Sequence, residues 1–371
     1  MSRKKIVLAL SIFLLFILIL TFPSKENIPC LLFHHVLPNT RVNPKAFEQI
    51  LIWLKKEGYK SIFISDLLKY KNKKLKLPSK TIILTFDDGY VDNYIFAFPL
   101  LKKYGFKATI SIITSKISSK PQNSYLSWAQ LKEMIQSKFV QIQSHSHTHS
   151  YCYVSDKITT FNSPSSLWHV KEYSLDGDKR FGIPIYERKS SLIVKCYCDD
   201  HNLRNYLAEY VAEQGGKNFF TQNSEWQNIL FKLAKNYISK NGLQGHYESP
   251  SEHEKRVIHE LLISKNIIEK KLKTPCIAII WPWGQYTERL ISIATGVGYK
   301  ICVTADRGTN YIGEIDLQKI KRIEAKEYGI NKLILGKLPL AYSINIRLFL
   351  YRHYLLGYIY NLMDKMIDWT K

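Results

Sequence analysis

Short apolar runs alternate with amphipathic segments over the first 150 residues of this 371-residue chain. The runs IPCLLF, TIILTF, ATISII and FVQIQS predict buried strands, and Phe47, Ile50, Leu51 and Leu54 recur at helical spacing between the first two. Alternating strands and helices build parallel α/β folds, in which the chemistry lies at the carboxyl ends of the strands. The pattern therefore predicts an α/β domain with its site where these strands end.

The regular alternation stops after about residue 150 and resumes near PCIAIIWPWGQY and YKICVTA. We interpret 151–270 as an insertion into one domain spanning 29–330, and the helical segment SEHEKRVIHELLISKNIIEKKL, with its alternating charges, as a solvated helix face. The remaining segment, 331–371, predicts a basic, aromatic helical tail. Such a tail either lies on a membrane surface or packs against the domain.

The N-terminus has the pattern of a membrane segment. Arg3, Lys4 and Lys5 precede residues 6–22, which carry no charge. As a helix this stretch reaches about 26 Å, close to the roughly 30 Å of a hydrocarbon core. The basic flank predicts a cytoplasmic N-terminus and an exported remainder, so 1–28 is a single-pass anchor in the cytoplasmic membrane or a signal peptide. No small-x-small cleavage site precedes PSKEN, which favours the anchor.

The charge balance and the cysteines add little to this assignment. Subtracting 31 acidic from 53 basic residues gives +22, which suits an anionic lipid, an anionic polymer or nucleic acid. Export argues against nucleic acid, and we expect no such partner. The chain has six cysteines: Cys30, Cys152, Cys196, Cys198, Cys276 and Cys302. Their spacing matches no zinc ribbon; outside the cytoplasm some can pair, but sequence does not show which.

Two clusters of polar residues follow predicted strands. Asp87 and Asp88 end TIILTF, and adjacent half-buried carboxylates repel unless a cation or a proton shares the site. HSHTH places His145 and His149 four residues apart. Two imidazoles and one carboxylate leave open positions on a metal, as catalytic zinc sites require. The HExxH protease pattern is excluded because Ser146 stands where the glutamate is needed.

TFDDGY and HSHTH resemble the first two motifs of the polysaccharide deacetylases, the NodB-like carbohydrate esterases. FHHV upstream, LSWAQLKEM before the second motif and WPWGQY in place of the third make the chain most similar to the poly-N-acetylglucosamine deacetylase branch. The resemblance covers 29–150 and about 274–325. It implies a distorted (β/α) barrel with a large insertion between the second and third motifs.

The resemblance also implies roles for individual residues. Asp88, His145 and His149 become ligands of a divalent metal, zinc in the first place, with cobalt, nickel or manganese as alternatives. Asp87 becomes the base that deprotonates the attacking water. His34 becomes the acid that protonates the leaving amine, with His35 as the competing candidate.

The third motif is the least regular match. The family implies that the backbone N–H of Trp283 contacts the oxyanion, and Trp281, Pro282 and Trp283 become candidate substrate-binding residues. Core packing is an equally good account of Trp281. The family's usual third-motif arginine, which orients the base, is missing from IIWPWG, and Arg322 is the candidate replacement.

Three further polar or aromatic residues near the motifs are assigned no chemistry. We expect His147 to be a solvent-facing bystander between the two histidine ligands. Asp92 is expected to be an acid at a helix start, and Tyr90 a packed aromatic.

The implied activity is hydrolysis of the N-acetyl group of an amino sugar in an extracytoplasmic polysaccharide or lipid-linked glycan. Removal of an O-acetyl or formyl group is the alternative activity, because the same attack by activated water serves each substrate. A membrane-anchored glycan-binding protein with impaired catalysis is the alternative from a different class, motivated by the missing arginine and the insertion.

Overall fold

The computed structural model describes residues 25–166, 175, 177–325, 338–353 and 356–362. Within these ranges no helix combines the length and apolar character needed to cross a membrane. The predicted membrane segment, 6–22, lies outside them.

Fourteen strands and ten α-helices of the described ranges have named bounds. The strands are β1 Asn27–Ile28, β2 Cys30–Phe33, β3 Lys60–Ile62, β4 Thr81–Phe86, β5 Ala108–Ile112, β6 Val140–Ser144, β7 Tyr151–Phe161, β8 Pro184–Ser190, β9 Tyr197–Cys198, β10 His246–Tyr247, β11 Ala278–Ile280, β12 Ile301–Arg307, β13 Asn310–Tyr311 and β14 Ile320–Glu324. The helices are α1 Pro44–Lys56, α2 Asp66–Lys71, α3 Phe98–Tyr104, α4 Trp128–Gln136, α5 His201–Glu213, α6 Lys217–Gln222, α7 Trp226–Asn241, α8 Pro250–Leu272, α9 Glu288–Val297 and α10 Leu340–Arg352. A π-helical turn, Asn93–Ala97, precedes α3, and a 3₁₀ turn, Pro282–Gly284, follows β11.

Seven parallel strands close into a barrel in the order β2, β14, β12, β11, β6, β5 and β4, with β4 pairing back to β2. β3 adds to β4 in the parallel sense. All six residues of β4 are buried, as expected for a parallel strand covered on both faces. The predicted α/β barrel is therefore confirmed, and its strands end together at one rim.

The chain divides into two compact units. The first, Met1–His145, Asn266–Gly284 and Tyr299–Lys371, contains the barrel. One of its core clusters is aliphatic, with Ile83, Ile280, Ile301 and Val303 fully buried. Residues of α1 contribute to the buried interior as the helical spacing predicts: Phe47, Ile50, Leu51 and Leu54 are all 0% exposed.

The second unit comprises Ser146–Lys265 and Gln285–Gly298. Its strands β7 and β8 form an antiparallel hairpin, and β9 pairs with β10. Helices α5, α6 and α7 supply a separate core that includes Leu203, Leu207, Phe219 and Leu230. The predicted insertion, 151–270, has its own hydrophobic core and covers most of this unit.

A disulfide joins Cys152 of β7 to Cys196 next to β9 in the second unit. Cys30, Cys276 and Cys302 are buried and form no disulfide, which matches cysteine acting as a small hydrophobic residue. Cys198 is free and exposed.

Helix α10 is the described part of the predicted basic tail, and it packs one face inward. Arg347 is 3% exposed and donates to the carbonyl oxygens of Glu324 and Ala325. The opposite face exposes Tyr342, Ile346 and Phe349. Packing against the domain therefore accounts for one face of this helix only.

Candidate metal centre

The barrel strand β4 delivers two carboxylates at its carboxyl end. The Asp87 backbone N–H donates to the Phe33 carbonyl oxygen over 2.9 Å and so continues the pairing of β4 with β2. The chain then turns sharply, with Asp88 at φ 72° and Gly89 at φ 76°. A left-handed conformation is unfavourable for a non-glycine residue, and such strain concentrates at functional sites. The turn separates the directions of two carboxylates that are adjacent in sequence.

A second strained turn follows β6. His145 is 2% exposed, and Ser146 and His149 have φ values of 65° and 57°. The Ser146 hydroxyl accepts the His149 backbone N–H over 3.0 Å. This short hydrogen-bonded loop fixes the position of His149, four residues after His145.

Asp88, His145 and His149 each offer a ligand atom, and these atoms all lie within 4.8 Å of one another. All three residues are buried. Two imidazole nitrogens and one carboxylate oxygen are a donor set that suits a divalent transition metal and leaves coordination positions open. The structure thus brings together the three predicted ligands, and their chemistry fits a zinc-type ion.

His145 is oriented by its other ring nitrogen. Nδ1 lies 2.9 Å from the Ile280 carbonyl oxygen, to which it donates, and Nε2 lies 3.3 Å from Asp88 Oδ1. This is the usual arrangement by which a second contact fixes the tautomer of a ligating histidine. Burial works against protonation, but the carboxylates of Asp88 and Asp87 outweigh it and hold the pKa of His145 above its ordinary value.

The Asp87 carboxylate lies beside this triad and forms hydrogen bonds of its own. Its Oδ1 accepts from the Ser111 hydroxyl over 3.0 Å and from Arg322 Nη1 over 2.9 Å. Burial opposes ionisation, but the Arg322 guanidinium, with His145 and His34 nearby, prevails and holds the pKa of Asp87 below its usual range. The side chain is therefore ionised at neutral pH, as a proton acceptor must be.

Arg322 lies on β14 and is 2% exposed. Its Nε donates to the Thr304 carbonyl oxygen over 2.7 Å and Nη1 also contacts Thr85 Oγ1 over 3.3 Å. The guanidinium thus contacts two other strands of the barrel, β12 and β4, and pairs with Asp87. A different strand supplies the arginine contact that the third motif lacks.

The two candidate acid histidines have different surroundings. His34 follows β2 directly, its carbonyl oxygen accepts from Asn93 Nδ2 over 2.9 Å, and its charge contributes to lowering the pKa of Asp87. His35 Nδ1 lies 2.6 Å from Asp92 Oδ2, and its ring stacks on Tyr90 with centroids 3.6 Å apart. His34 is the candidate whose charge acts on the base.

Asp92 does more than begin a helix. It stands at the start of the π-helical turn but makes no side-chain capping bond there. Its carboxylate accepts instead from the Val36 backbone N–H over 2.7 Å and holds His35. The prediction of a simple helix-start acid was therefore incomplete. Tyr90 is a packed aromatic, as expected, because it also stacks on Tyr125.

Glu260 of α8 supports the histidine loop. One carboxylate oxygen, Oε1, accepts from the backbone N–H groups of His147 and Thr148 and from Thr148 Oγ1, over 2.6 to 2.9 Å. One turn further along the helix, Ser264 donates to the Ser146 carbonyl oxygen over 3.0 Å. The interpretation of this helix as a solvated face was wrong at these two positions. The signal that identifies them is their spacing of four residues, which places both on one side of the helix.

The third-motif residues occupy the turn after β11. Trp281 is 0% exposed, so its ring faces are covered by protein, as the core-packing alternative predicts. Pro282 is buried, and Trp283 is half-buried with a left-handed backbone at φ 59°. Gly284 is required next, since a Cβ there would lie 2.4 Å from Ala305 Cβ. The tight turn fixes the position of the Trp283 backbone.

Comparison with known proteins relates this site to a protein family. The profile described as polysaccharide deacetylase matches residues 74–170. A putative polysaccharide deacetylase, YxkH of Bacillus subtilis, is 38% identical over 125 residues, which cover 33% of this chain and 43% of that protein. The poly-beta-1,6-N-acetyl-D-glucosamine N-deacetylase of Staphylococcus epidermidis is 34% identical over 111 residues, 29% of this chain and 38% of that protein. The matched stretches therefore span less than half of either relative.

The fold is shared over a longer stretch. A solved de-N-acetylase from Aggregatibacter actinomycetemcomitans superposes with a TM-score of 0.55 at 19% identity, covering 80% of this chain and 94% of that one. At this identity the likeness establishes the fold alone, and it is the NodB-type barrel that was predicted. Residues 74–170, with the motifs TFDDGY and HSHTH, therefore match the polysaccharide deacetylase family model, and the resemblance predicted from those motifs is confirmed.

Proposed function

We propose that this protein is a metal-dependent deacetylase that hydrolyses the N-acetyl group of an amino sugar in a polysaccharide or lipid-linked glycan. This proposal rests on the buried triad Asp88, His145 and His149. Beside the triad lies the ionised Asp87, whose carboxylate pairs with an arginine. The Staphylococcus epidermidis relative, named for its action on poly-N-acetylglucosamine, supports an N-acetylated substrate.

The triad would hold the metal, zinc in the first place, with cobalt, nickel or manganese as alternatives. A divalent ion there supplies Lewis-acid polarisation of the acyl oxygen and lowers the pKa of water. Asp87 accepts the proton of the attacking water, because its carboxylate is held ionised by Arg322. His34 donates a proton to the leaving nitrogen, and the Trp283 backbone N–H stabilises the oxyanion.

Arg322 bears on the alternative of a catalytically impaired glycan-binding protein. That alternative was motivated by the missing third-motif arginine, and the contact of Arg322 with Asp87 provides an equivalent. The enzyme is the better supported function. The acyl group removed is the N-acetyl group in this proposal, and a folded, zinc-bound protein that releases no amine from N-acetylglucosamine oligomers would favour an O-acetyl or formyl substrate instead.

Removing the metal tests the proposal. We expect chelation and dialysis to reduce acetate release from N-acetylglucosamine oligomers to background, and stoichiometric zinc to restore it, because Asp87 alone cannot activate water sufficiently. Acetate and bound metal are measured on the same samples. Undiminished release by protein shown to contain no metal would contradict the proposal.

We also propose that the protein is anchored in the cytoplasmic membrane with its catalytic domain outside the cytoplasm. The Cys152–Cys196 disulfide supports this location, since structural disulfides persist in oxidising compartments. The basic flank and the uncharged segment 6–22 support the anchor. Three residues beyond that segment, the Lys25 backbone N–H donates to the Arg352 carbonyl oxygen at the end of α10 over 3.2 Å.

This contact supports the proposal that α10 lies near the bilayer, because Lys25 follows the proposed anchor segment by three residues. Tyr342, Ile346 and Phe349 recur at intervals of four and three residues and form one exposed stripe, 64%, 36% and 46% exposed. We propose that this stripe rests on the bilayer surface, where its apolar side chains are buried among lipid headgroups and the net positive charge favours anionic lipid.

Phe349→Glu tests the surface contact. In a chain beginning at Lys25, the substitution is expected to weaken partition onto anionic vesicles by about tenfold or more, since burying a phenylalanine contributes about 1.5–3 kcal/mol. Vesicle co-sedimentation measures the partition. Ile95→Glu, which alters an equally exposed residue on the π-helical turn, is the matched control and should change it little. Equal loss in both variants, or in neither, would contradict the stripe.

A further inference from the structure

The second unit contains a cavity of about 260 Å³ that the deacetylase site does not account for. Its walls come from the β7–β8 hairpin and from the segment joining β9 to α5. The lining residues used below are Tyr151, Tyr153, Arg188, Tyr197, Asp199 and Arg204. We call this space the tyrosine cavity. Its volume lies just below the range typical of ligand pockets, about 300–1,000 Å³, and suits one sugar ring rather than a long chain.

Arg188 gives this cavity an unusual polar group. Its Nη1 is buried and has no hydrogen-bond partner among the described residues, and the guanidinium lies 5.6 Å from the centre of the Tyr151 ring. Burial lowers its pKa. A buried guanidinium nitrogen is normally paired, because leaving a charged donor unsatisfied is costly.

The second arginine of the cavity shows the usual arrangement. Arg204 Nε donates to Asp199 Oδ2 over 3.1 Å, and Nη1 lies 3.7 Å from Asp178 Oδ2. Its charge is therefore balanced within the protein. Arg188 has no such carboxylate among the described residues, and an anionic ligand is a group that fits it.

The tyrosines supply the remaining chemistry. Tyr151 and Tyr153 are half-buried, so part of each ring remains accessible at the cavity wall. Tyr197 is 4% exposed, and its hydroxyl is buried with no hydrogen-bond partner in the described ranges. Flat apolar ring faces pack against the C–H faces of a sugar, and an unsatisfied hydroxyl can bond a sugar hydroxyl.

We infer that the tyrosine cavity binds a single sugar residue bearing an oxyanion, either a carboxylate or a phosphate, with Arg188 pairing with the anion. Planar, bidentate recognition of such groups is the particular capability of arginine. If the proposed function holds, the bound sugar is an acidic residue of the glycan that is deacetylated; the binding itself does not depend on that function.

Isothermal titration of the full-length protein in detergent tests the inference. The probes are glucuronic acid, glucose 6-phosphate and neutral glucose. We expect at least one anionic sugar to bind at least tenfold more tightly than glucose, and the preferred probe distinguishes a carboxylate from a phosphate. No preference for either anion over glucose in the unmodified protein overturns the inference, whatever any variant does.

Arg188→Gln tests whether Arg188 is responsible for the preference for anionic sugars. We expect this variant to bind the anionic sugar at least tenfold more weakly, while Lys189→Gln, which removes an exposed charge from the neighbouring position of β8, binds it as the unmodified protein does. Arg188→Lys retains the charge and should restore part of the affinity if the glutamine variant folds poorly. Equal affinity in all three variants would overturn the inference.

The sugar binding proposed for the cavity and the proposed deacetylase activity can be refuted independently. Binding of anionic sugars without acetate release from neutral N-acetylglucosamine oligomers would retain the cavity and refute the proposed function. Acetate release without any preference for anionic sugars would refute the binding proposed for the cavity and retain the proposed function.

Discussion

Asp87→Asn is expected to lower kcat for acetate release by about 10²–10⁴-fold while leaving the metal bound. The amide cannot accept the proton of the attacking water, but it keeps the size of the side chain and its contact with Ser111. The ligand atoms of Asp88, His145 and His149 are unchanged by this substitution. Steady-state acetate release and metal content per protein, measured on one preparation, check both halves of the expectation.

The matched control for Asp87→Asn is Asp88→Asn, which alters the neighbouring carboxylate. That variant should lose most of its metal as well as its activity, because the triad then has two strong ligands in place of three. Loss of metal from the Asp87 variant, or retained turnover in it, would contradict the assignment of Asp87 as base.

Arg322→Gln is expected to reduce the free energy of unfolding by about 3–5 kcal/mol, because it leaves the buried Asp87 carboxylate without its main partner. Urea unfolding of the metal-free protein at pH 7 measures the loss. Lys321→Gln removes an exposed charge from the adjacent position of the same strand and should change stability little. A loss below about 0.5 kcal/mol, the size of an ordinary surface effect, would refute the role given to this pair.

The loss should also depend on pH in a defined direction. Burial alone raises the pKa of Asp87, and in the unmodified protein Arg322 outweighs it and lowers that pKa. A depressed carboxyl pKa contributes stability above the unfolded pKa, near 3.8, that disappears as pH falls through the folded pKa. The difference between Arg322→Gln and the unmodified protein should therefore be largest at neutral pH, and it should shrink as pH falls from the raised pKa of Asp87 in the variant to its depressed pKa in the unmodified protein.

The barrel and the ligand triad were accessible from sequence because both follow from local patterns. A mostly apolar strand such as β4 is typical of the inside of a parallel sheet, and Asp87 and Asp88 directly after it are then expected at the rim. The spacing of His145 and His149 belongs to one short loop, so few residues decide their separation. Family resemblance supplied the roles, and the structure supplied the proximity.

Contacts between distant segments were harder to predict. Arg322, named from the sequence as the candidate replacement for the third-motif arginine, meets Asp87 across 235 positions, although nothing in IKRIEA itself distinguishes it from the other basic residues of a chain with net charge +22. Glu260 resembled a solvated charge because its helix alternates in sign. Arg347 belongs to the predicted basic tail, for which packing against the domain was one of two alternatives, and it is buried. In each case a buried backbone or carboxylate group selects the partner, and only the folded chain shows which one.

Product analysis with the full-length, zinc-loaded protein on N-acetylglucosamine oligomers tests the central claim most directly. Acetate and newly formed free amine are quantified together, with zinc-treated Asp88→Ala as the control. We predict equal amounts of both products from the unmodified protein and neither from the variant, because only amide hydrolysis at an intact triad yields both. Folded, zinc-bound protein that releases no amine would contradict N-deacetylation, and undiminished release by Asp88→Ala would contradict the metal centre.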